Sequence, residues 1–551
     1  MRSAVSLLLS LALCTRPAWP QDDKTLEVVG KIKVEAFDRS RVMDTLENLT
    51  DLYGPRLTAS PEFQQAADWA MGRLKEYGVA NVHAEPWGPF GRSWSLQGYQ
   101  LEMTAPRYSH LVAVPLAWGE PTGVKTADAI YAPVHTPENR FNMKKQEEAL
   151  DQYQAAWKGK LKGKVVLVTE LKEPKPTTKP LFRRYTDAEL AEIAEAPEPS
   201  IKRNVNIDQM DVPADQEEAY KYFASLPNSV MEKIYDRFDA LRLKQAKFFH
   251  EEGVAGIIRA DNRAHNGLIF AEAAGPHSAK EHMAPAAFIV PEEQYTRVTR
   301  LLAKMESVSM RLSLAAKVGD RDVDGLNLIG EIPGSKRPDE IVMIGAHFDS
   351  WHSGTGATDN AAGSAVMIEV MRILKTLNLP MDRTVRIGLW SGEEQGLYGS
   401  KAYVKAHFGD DETMQLKPEQ AKLDAYLNLD NGSGKIRGVY LQGNDGARPV
   451  FEKMLTPFHD LGARTVSLKN TGGTDHLSFD AVGLPGFQFI QDPLDYGTVT
   501  HHSDMDTYSH AIPEDLMQAS AVIATMVYEI SNRPDMFPRK PLPAATAKPG
   551  P

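Results

Sequence analysis

His347 and Asp359 stand twelve residues apart in the run GAHFDSWHSGTGATDNAAGS, Gly345 to Ser364, with Asp349 between them and small residues around them. Further along come Glu393 and Glu394 in LWSGEEQG, Asp430 in NLDNG and His502 in HHSDMDTYSH. Each group follows an apolar, strand-like run. If the strand ends converge, four carboxylates share one pocket, and like charges that close raise one another's pKa. A divalent cation removes the conflict. Imidazole combined with carboxylate oxygen favours zinc, with Co2+ or Mn2+ as alternatives. Two histidines and three carboxylates exceed what one catalytic zinc needs, which is three protein ligands and an open place. Five ligands with one bridging carboxylate suit two ions about 3.5–4 Å apart. One glutamate of the adjacent pair is then free to act as a base, since neighbouring residues at a strand end point apart.

Taken singly, each residue has a plainer reading. A strand-end His or Asp serves as a turn or cap residue; SGEEQG serves as the acidic start of a helix; HHSDMD serves as a polar surface loop. The serial pattern favours chemistry. A twelve-residue gap lets a strand-end imidazole and a loop carboxylate reach one ion, and the glycines between them allow a tight turn.

The elements that must position these residues are legible from about 325 onward. EIVMIGAHFD, RTVRIGLW and DAYLNLDNG read as strands. AVMIEVMRILKTL reads as a helix with Val366, Val370, Ile373, Leu374 and Leu377 on one face, and GLYGSKAYVKAHF and PEDLMQASAVIATMVYEISN read as further helices. The alternation predicts an α/β fold with a largely parallel sheet covered by helices. In such a sheet the site lies beyond the carboxyl ends of the strands. Residues 38–110 are also α/β in character, and EFQQAADWAMGRLKEYG reads as a helix closed by a glycine. From about 112 the short strand-like runs SHLVAVPLAW, GKVVLVTEL and AAFIVP take over. Between them a charged stretch, 184–252, holds a capping signal at Thr186 and Glu189 and the amphipathic VMEKIYDRFDALRLKQAKFFHEEG. It reads as a solvated helical insertion, with a lid over the site as the sharper alternative.

The 551-residue chain is long enough for two domains with tails. With 62 Lys and Arg against 73 Asp and Glu its net charge is −11, which repels phosphate backbones and argues against nucleic acid as a partner. Arg2 followed by the apolar run Ser3 to Cys14 fits a secretory signal, and the run is too short to span a bilayer. This predicts cleavage between Cys14 and Gln21 and a periplasmic or extracellular protein. Cys14 is the only cysteine, and LALC is a weak lipoprotein-like box because Leu13 is bulky. Once the signal is removed, disulfides and cysteine metal sites drop out. No later segment reads as a membrane span. The tail PRKPLPAATAKPGP is rich in Pro and Ala and is expected to be disordered.

The motifs GAHFDSW…GATDNAAG, LWSGEEQGLYGS, LNLDNGSG, GGTDHLSFDAVGLPG and HHSDMDT, in that order, resemble the M28 family of zinc exopeptidases, and within it the carboxypeptidase Q branch. The resemblance covers about 38–110 and 320–535. It implies a zinc-exopeptidase (aminopeptidase-like) α/β sheet flanked by helices, with an inserted protease-associated domain. The chain then divides into a signal at 1–20, a first peptidase part at 21–111, the insert with its helical insertion at 112–318, the catalytic part at 319–536 and a tail at 537–551. The resemblance further implies two zinc ions per chain. His347 would bind one, Asp359 would bridge both, Glu394 and Asp430 would each bind one, and His502 would complete the set. Glu393 would be the general base, and Asp349 would hold the imidazole of His347. Many relatives carry Tyr just before the last His, where it steadies the oxyanion; this chain has His501, as the carboxypeptidase Q branch does, and its imidazole would donate the same hydrogen bond. Asp475 and His476, in GTDHLSF, match a family motif near the substrate pocket, with helix capping beside the site as the alternative.

The implied activity is hydrolysis of terminal peptide bonds in dipeptides or short peptides. Glu393 takes a proton from the attacking water and returns it to the leaving amine. Which end is trimmed stays open, so an M28 aminopeptidase is the alternative. A glutaminyl-cyclase-like transferase working with one zinc and a catalytically dead binding module are remoter. The complete set of ligands and base argues against both, since function follows the site and not the fold. The implied partners are a peptide substrate and, at most, a second copy in a homodimer.

Overall fold

The computed structural model describes residues 23–543, except 138, 140, 172–177, 179, 197–198, 200–204, 214–221, 224–225, 227 and 262–265. The expected signal at 1–20 and residues 544–551 of the expected tail lie outside the described residues.

Eight strands form the sheet that carries the site. Their order is Ala80–Gly91, Val323–Ile332, Arg383–Trp390, Arg337–His347, Leu423–Asn428, Gly486–Gln491, Ile436–Tyr440 and Thr465–Ser467. The four central strands, from Arg383–Trp390 to Gly486–Gln491, run parallel, as alternating strands and helices require. Both flanks turn antiparallel, Val323–Ile332 against Arg383–Trp390 and Ile436–Tyr440 against Gly486–Gln491. Leu423–Asn428 and Gly486–Gln491 are buried at every position, as strands covered on both faces must be. The register sets His347 beside Trp390, and Asn428 beside Gly345 and Gln488. Four carboxyl ends therefore open on one edge.

The helix Ala362–Thr376 departs from the single apolar face expected of it. It is buried all round from Ala362 to Leu374, because it lies between the sheet and the helices Val42–Glu47 and Pro513–Asn532. Glu369 and Arg372 are enclosed with it. Arg372 pairs with Glu369 at 2.8 Å and with Glu35 at 2.6 Å, and mutual neutralisation is what makes such burial tolerable.

A second eight-stranded sheet runs Ser109–His110, Trp94–Ala105, Ser309–Val318, Thr122–Val134, Val165–Thr169, Gly256–Ala260, Ala287–Val290 and Val114–Pro115. The chain enters it at Trp94, ahead of the boundary expected near 112. Trp94–Ala105 spends its hydrogen bonds on Ser309–Val318, and Trp94, Leu101 and Met103 sit in this sheet's core. Aromatic side chains join the two sheets: Phe90 stacks on His277 at 4.3 Å, and Trp118 meets Trp351 edge-on at 6.1 Å. His352 donates from Nε2 to the Pro115 carbonyl at 2.7 Å.

The described parts of the charged stretch 184–252 are docked rather than simply solvated. Thr186 and Glu189 form the expected capping box at the start of the helix Asp187–Ala194. Arg184 just before it pairs with Asp492 at 2.9 Å and Asp515 at 2.8 Å. The long helix Asn228–Glu252 packs against Met143–Trp157 and buries Val230, Ile234, Ala246 and Phe249. The tail is also ordered at its start. Phe537 is buried beside Phe451 and Phe487, at 5.2 and 5.6 Å, and Arg539 donates to the carbonyls of Gln420 and Leu423. Aromatic burial and carbonyl partners offset the composition that predicts disorder. Among the described residues, no helix is long and apolar enough to cross a membrane.

Candidate metal centre

The strand Arg337–His347 ends on His347, and Ser364 at the start of the following helix donates to its carbonyl at 2.8 Å. The loop between carries Asp359. Its backbone is fixed from a distance by Asp506, whose carboxylate accepts from Thr358 N at 2.7 Å and Asp359 N at 3.2 Å. Asn360 clips the same loop to the next strand end by donating to the Leu429 carbonyl at 2.9 Å. The Asp359–Asn360 peptide is cis. Asp430 follows directly, and Gln488 donates to its carbonyl. Glu393 and Glu394 follow Trp390, and His501 and His502 close the set from the loop beyond Gly486–Gln491.

These residues converge. Asp359 Oδ1 lies 3.2 Å from His347 Nε2, and its Oδ2 lies 3.4 Å from His502 Nε2. Asp430 Oδ2 stands 3.6 Å from His347 Nε2, and Glu394 Oε2 stands 3.0 Å from His502 Nε2. Asp359 thus turns one oxygen to each imidazole, with a second carboxylate beside each. His347, Asp359, Glu394 and Asp430 are buried.

The donor set fits divalent cations. Ligand atoms of His347, Asp359 and Asp430 all lie within 4.8 Å of one another, as do those of Asp359, His501 and His502. Asp359 Oδ2 is buried and accepts no hydrogen bond. Although burial works against it, His347, His501 and His502 hold Asp359 below the usual carboxylate range. Glu394 is pushed up to about 8 by burial and by Asp359, against the pull of His502. Carboxylates packed this closely need positive charge beyond their imidazoles to ionise together.

Glu393 is buried beside this group. Burial drives its carboxyl well above the usual range; His347 opposes the shift, while Asp430, Asp475 and Glu394 add to it. A raised carboxyl beside such a cluster has the property a proton-transferring group requires.

Asp349 differs from expectation in detail. Its main-chain carbonyl, 3.0 Å from His347 Nδ1, is the atom that orients the imidazole, and its carboxylate stands at 3.7 Å. The carboxylate accepts instead from the Thr58 hydroxyl at 2.7 Å and from Glu393 N at 3.4 Å. It therefore steadies the turn that aims Glu393. Asp475 and His476 are fully buried, and Asp475 makes no side-chain cap. His476 Nε2 is engaged by Gln442 and the Thr471 carbonyl inside the fold. Burial pushes Asp475 up to about 7. His501 is more open: its ring stacks on His502 at 3.9 Å, and its Nε2 lies 3.9 Å from Asp359 Oδ2.

Three contributors escape a sequence reading. Arg56, wholly buried, donates to the carbonyls of Leu49, Phe348, Thr355 and Gly356 at 2.8–3.0 Å, tying the N-terminal segment to both sides of the His347–Asp359 loop. Asp506 belongs to HHSDMDT and carries a usable signal there. The third is Tyr496, whose ring lies 4.9 Å from that of His501. Burial and the carboxylates of Asp359, Asp430, Glu394 and Glu393 keep its phenol protonated well beyond the usual range.

Residues 327–527 match the family model described as peptidase family M28. Over part of its length the chain is also similar to carboxypeptidase Q. Carboxypeptidase Q of Bos taurus is 31% identical over 258 residues, covering 46% of this chain and 51% of that protein. The chain thus matches about half the length of this curated relative. A peptidase M28 precursor from Shewanella amazonensis SB2B shares the fold at a TM-score of 0.65 and 24% identity, over 95% of this chain and all of its own. BSAP, a zinc aminopeptidase from Bacillus subtilis, superposes at 0.52 with 19% identity, over 89% of this chain and 94% of that one.

Proposed function

We propose that this chain is an exported two-zinc exopeptidase that hydrolyses terminal peptide bonds of dipeptides or short peptides. The observation that carries the reading is the division of Asp359 between two imidazoles, 3.2 Å from His347 and 3.4 Å from His502. Asp430 and His347 would hold one ion, Glu394 and His502 the other, with Asp359 shared. The name of the B. subtilis neighbour, a zinc aminopeptidase, supports zinc as the metal. Zinc, when bound, supplies Lewis-acid polarisation of the scissile carbonyl and eases deprotonation of water.

The chain's own residues then divide the remaining work. Glu393 takes the proton of the attacking water and delivers it to the leaving amine. Asp349 and Thr58 hold the turn that aims it, through the bond from Thr58 to Asp349 and the bond from Gly392 N to Thr58 at 3.0 Å. His501, at the open side of the cluster, donates to the oxygen that gains charge. Walls of Trp351 and other buried side chains limit water and strengthen these interactions.

Relatives bear both carboxypeptidase and aminopeptidase names. The deciding experiment offers dipeptides and longer peptides blocked at either end, with product identification, before and after chelation. Terminal cleavage lost to a chelator and restored by zinc is expected. The blocked end that stops cleavage names the polarity. Chelator-insensitive cleavage, or no cleavage by fully metal-loaded protein, would overturn the proposal.

A further inference from the structure

The two imidazoles of the centre are oriented by different parts of the molecule. His347 Nδ1 faces the carbonyl of Asp349, two residues on in its own segment. His502 Nδ1 instead faces Glu272 Oε1 at 2.9 Å. Glu272 lies between Gly256–Ala260 and Ala287–Val290, two strands of the second sheet, whereas the ligand residues all follow strands of the first.

The approach of Glu272 is built into the backbone. Ala271 N donates to the His502 carbonyl at 3.0 Å, Asp504 N donates to the Ile269 carbonyl at 2.9 Å, and Ile269 N returns a bond to Asp504 Oδ1 at 3.0 Å. Phe270 and Ser503 form a bridge between them. On its other side the segment is pinned to the second sheet: Ala117 N donates to the Glu272 carbonyl at 3.0 Å, and Ala274 N to the Ala117 carbonyl at 2.8 Å. His502 itself sits at φ +60°, a left-handed conformation that surrounding contacts must hold for a non-glycine residue. With the backbone clamped on both sides, the Glu272 carboxylate meets one ring nitrogen while the other nitrogen faces Asp359 and Glu394.

We infer that Glu272 is a positioning residue for the metal centre, supplied by the second sheet, which fixes the ring orientation and tautomer of His502. A carboxylate accepting from Nδ1–H leaves the Nε2 lone pair free for an ion and raises its basicity. The ion on the His502 side is therefore held across both sheets, and its binding stabilises their docking by ordinary linkage. The inference rests on the reading of His502 as a metal ligand.

The test measures metal binding, not turnover. Metal-free wild type, Glu272→Gln and Glu272→Ala are titrated with Zn2+ against a chromophoric chelator, and with Co2+ while its visible absorption is followed. Wild type is expected to take up two ions. Glu272→Ala should weaken one of them ~10–100-fold, the range for lost outer partners, and alter half of the Co2+ spectrum. The ion on the His347 side should keep its affinity. Glu272→Gln retains an accepting oxygen and should fall between. Loss confined to one ion is not what a general weakening of the fold would cause. Unchanged affinities and spectra in Glu272→Ala, or equal weakening of both ions, would overturn the inference while leaving the two-zinc reading intact. A wild type that binds no tight ion would overturn both.

Discussion

Glu394 Oε2 lies 3.0 Å from His502 Nε2, although 108 residues separate them in the chain and they follow different strands. On its neighbour Glu393, the charges of His347 and Asp430 act most strongly after burial. The proposed roles of the adjacent acids therefore differ. Glu393→Gln should keep metal content and fold and lower kcat by at least ~10²–10⁴-fold, the usual value of a lost general base. Glu394→Gln should instead lose metal. Metal analysis beside steady-state kinetics separates the two, and the reverse pattern would exchange the roles.

Asp359 serves both imidazoles, so Asp359→Asn should lower occupancy at both positions, whereas Asp430→Asn should lower it at one. Equilibrium dialysis against limiting zinc reads the difference. Two full equivalents retained by Asp359→Asn would remove it as the shared ligand.

His501 is expected to act on charge that develops during reaction. His501→Phe should keep two ions and KM within a few-fold while kcat falls ~10²–10³-fold, the usual cost of one oxyanion donor. Full activity in that variant would return the donor's role to another group, with the protonated Tyr496 phenol beside it as the first to examine.

Arg56 predicts a stability effect. Arg56→Met leaves four buried carbonyls without their donor, each typically worth about 1–3 kcal/mol. Thermal unfolding of metal-free protein should show a drop of several degrees or more, partly restored in Arg56→Lys. An unchanged midpoint would mean that water replaces the guanidinium.

His352 predicts how stability varies with pH. Burial lowers its pKa to about 4, and only the bond to Pro115 opposes this. The unfolded chain takes up the proton near pH 6.5, the folded protein only near 4. Its contribution is therefore complete above pH 6.5 and is lost as pH falls from there to 4, by up to about 3 kcal/mol. Denaturant midpoints at pH 7 and pH 4.5 should fall less for His352→Gln than for wild type, and equal losses would exclude this histidine.

Much of the centre was readable from spacing, because each group follows a run whose apolar pattern marks a strand and parallel strands release their ends on one edge. His347, Asp359, Glu393, Glu394, Asp430 and His502 all meet there.

What the amino-acid order determined by itself was local: the strand and helix periodicities, the capping box at Thr186, and the acids and imidazoles placed at strand ends. What only the tertiary structure decided was pairing across long separations. Helix Ala362–Thr376 is enclosed all round because other helices cover the face that its pattern leaves open. Arg56 reaches the carbonyls of Phe348, Thr355 and Gly356, 292–300 residues away in the chain. Glu272 meets His502 across two sheets. None of these contacts leaves a periodic trace, since a hydrogen bond between distant segments constrains one residue at each end and nothing in between.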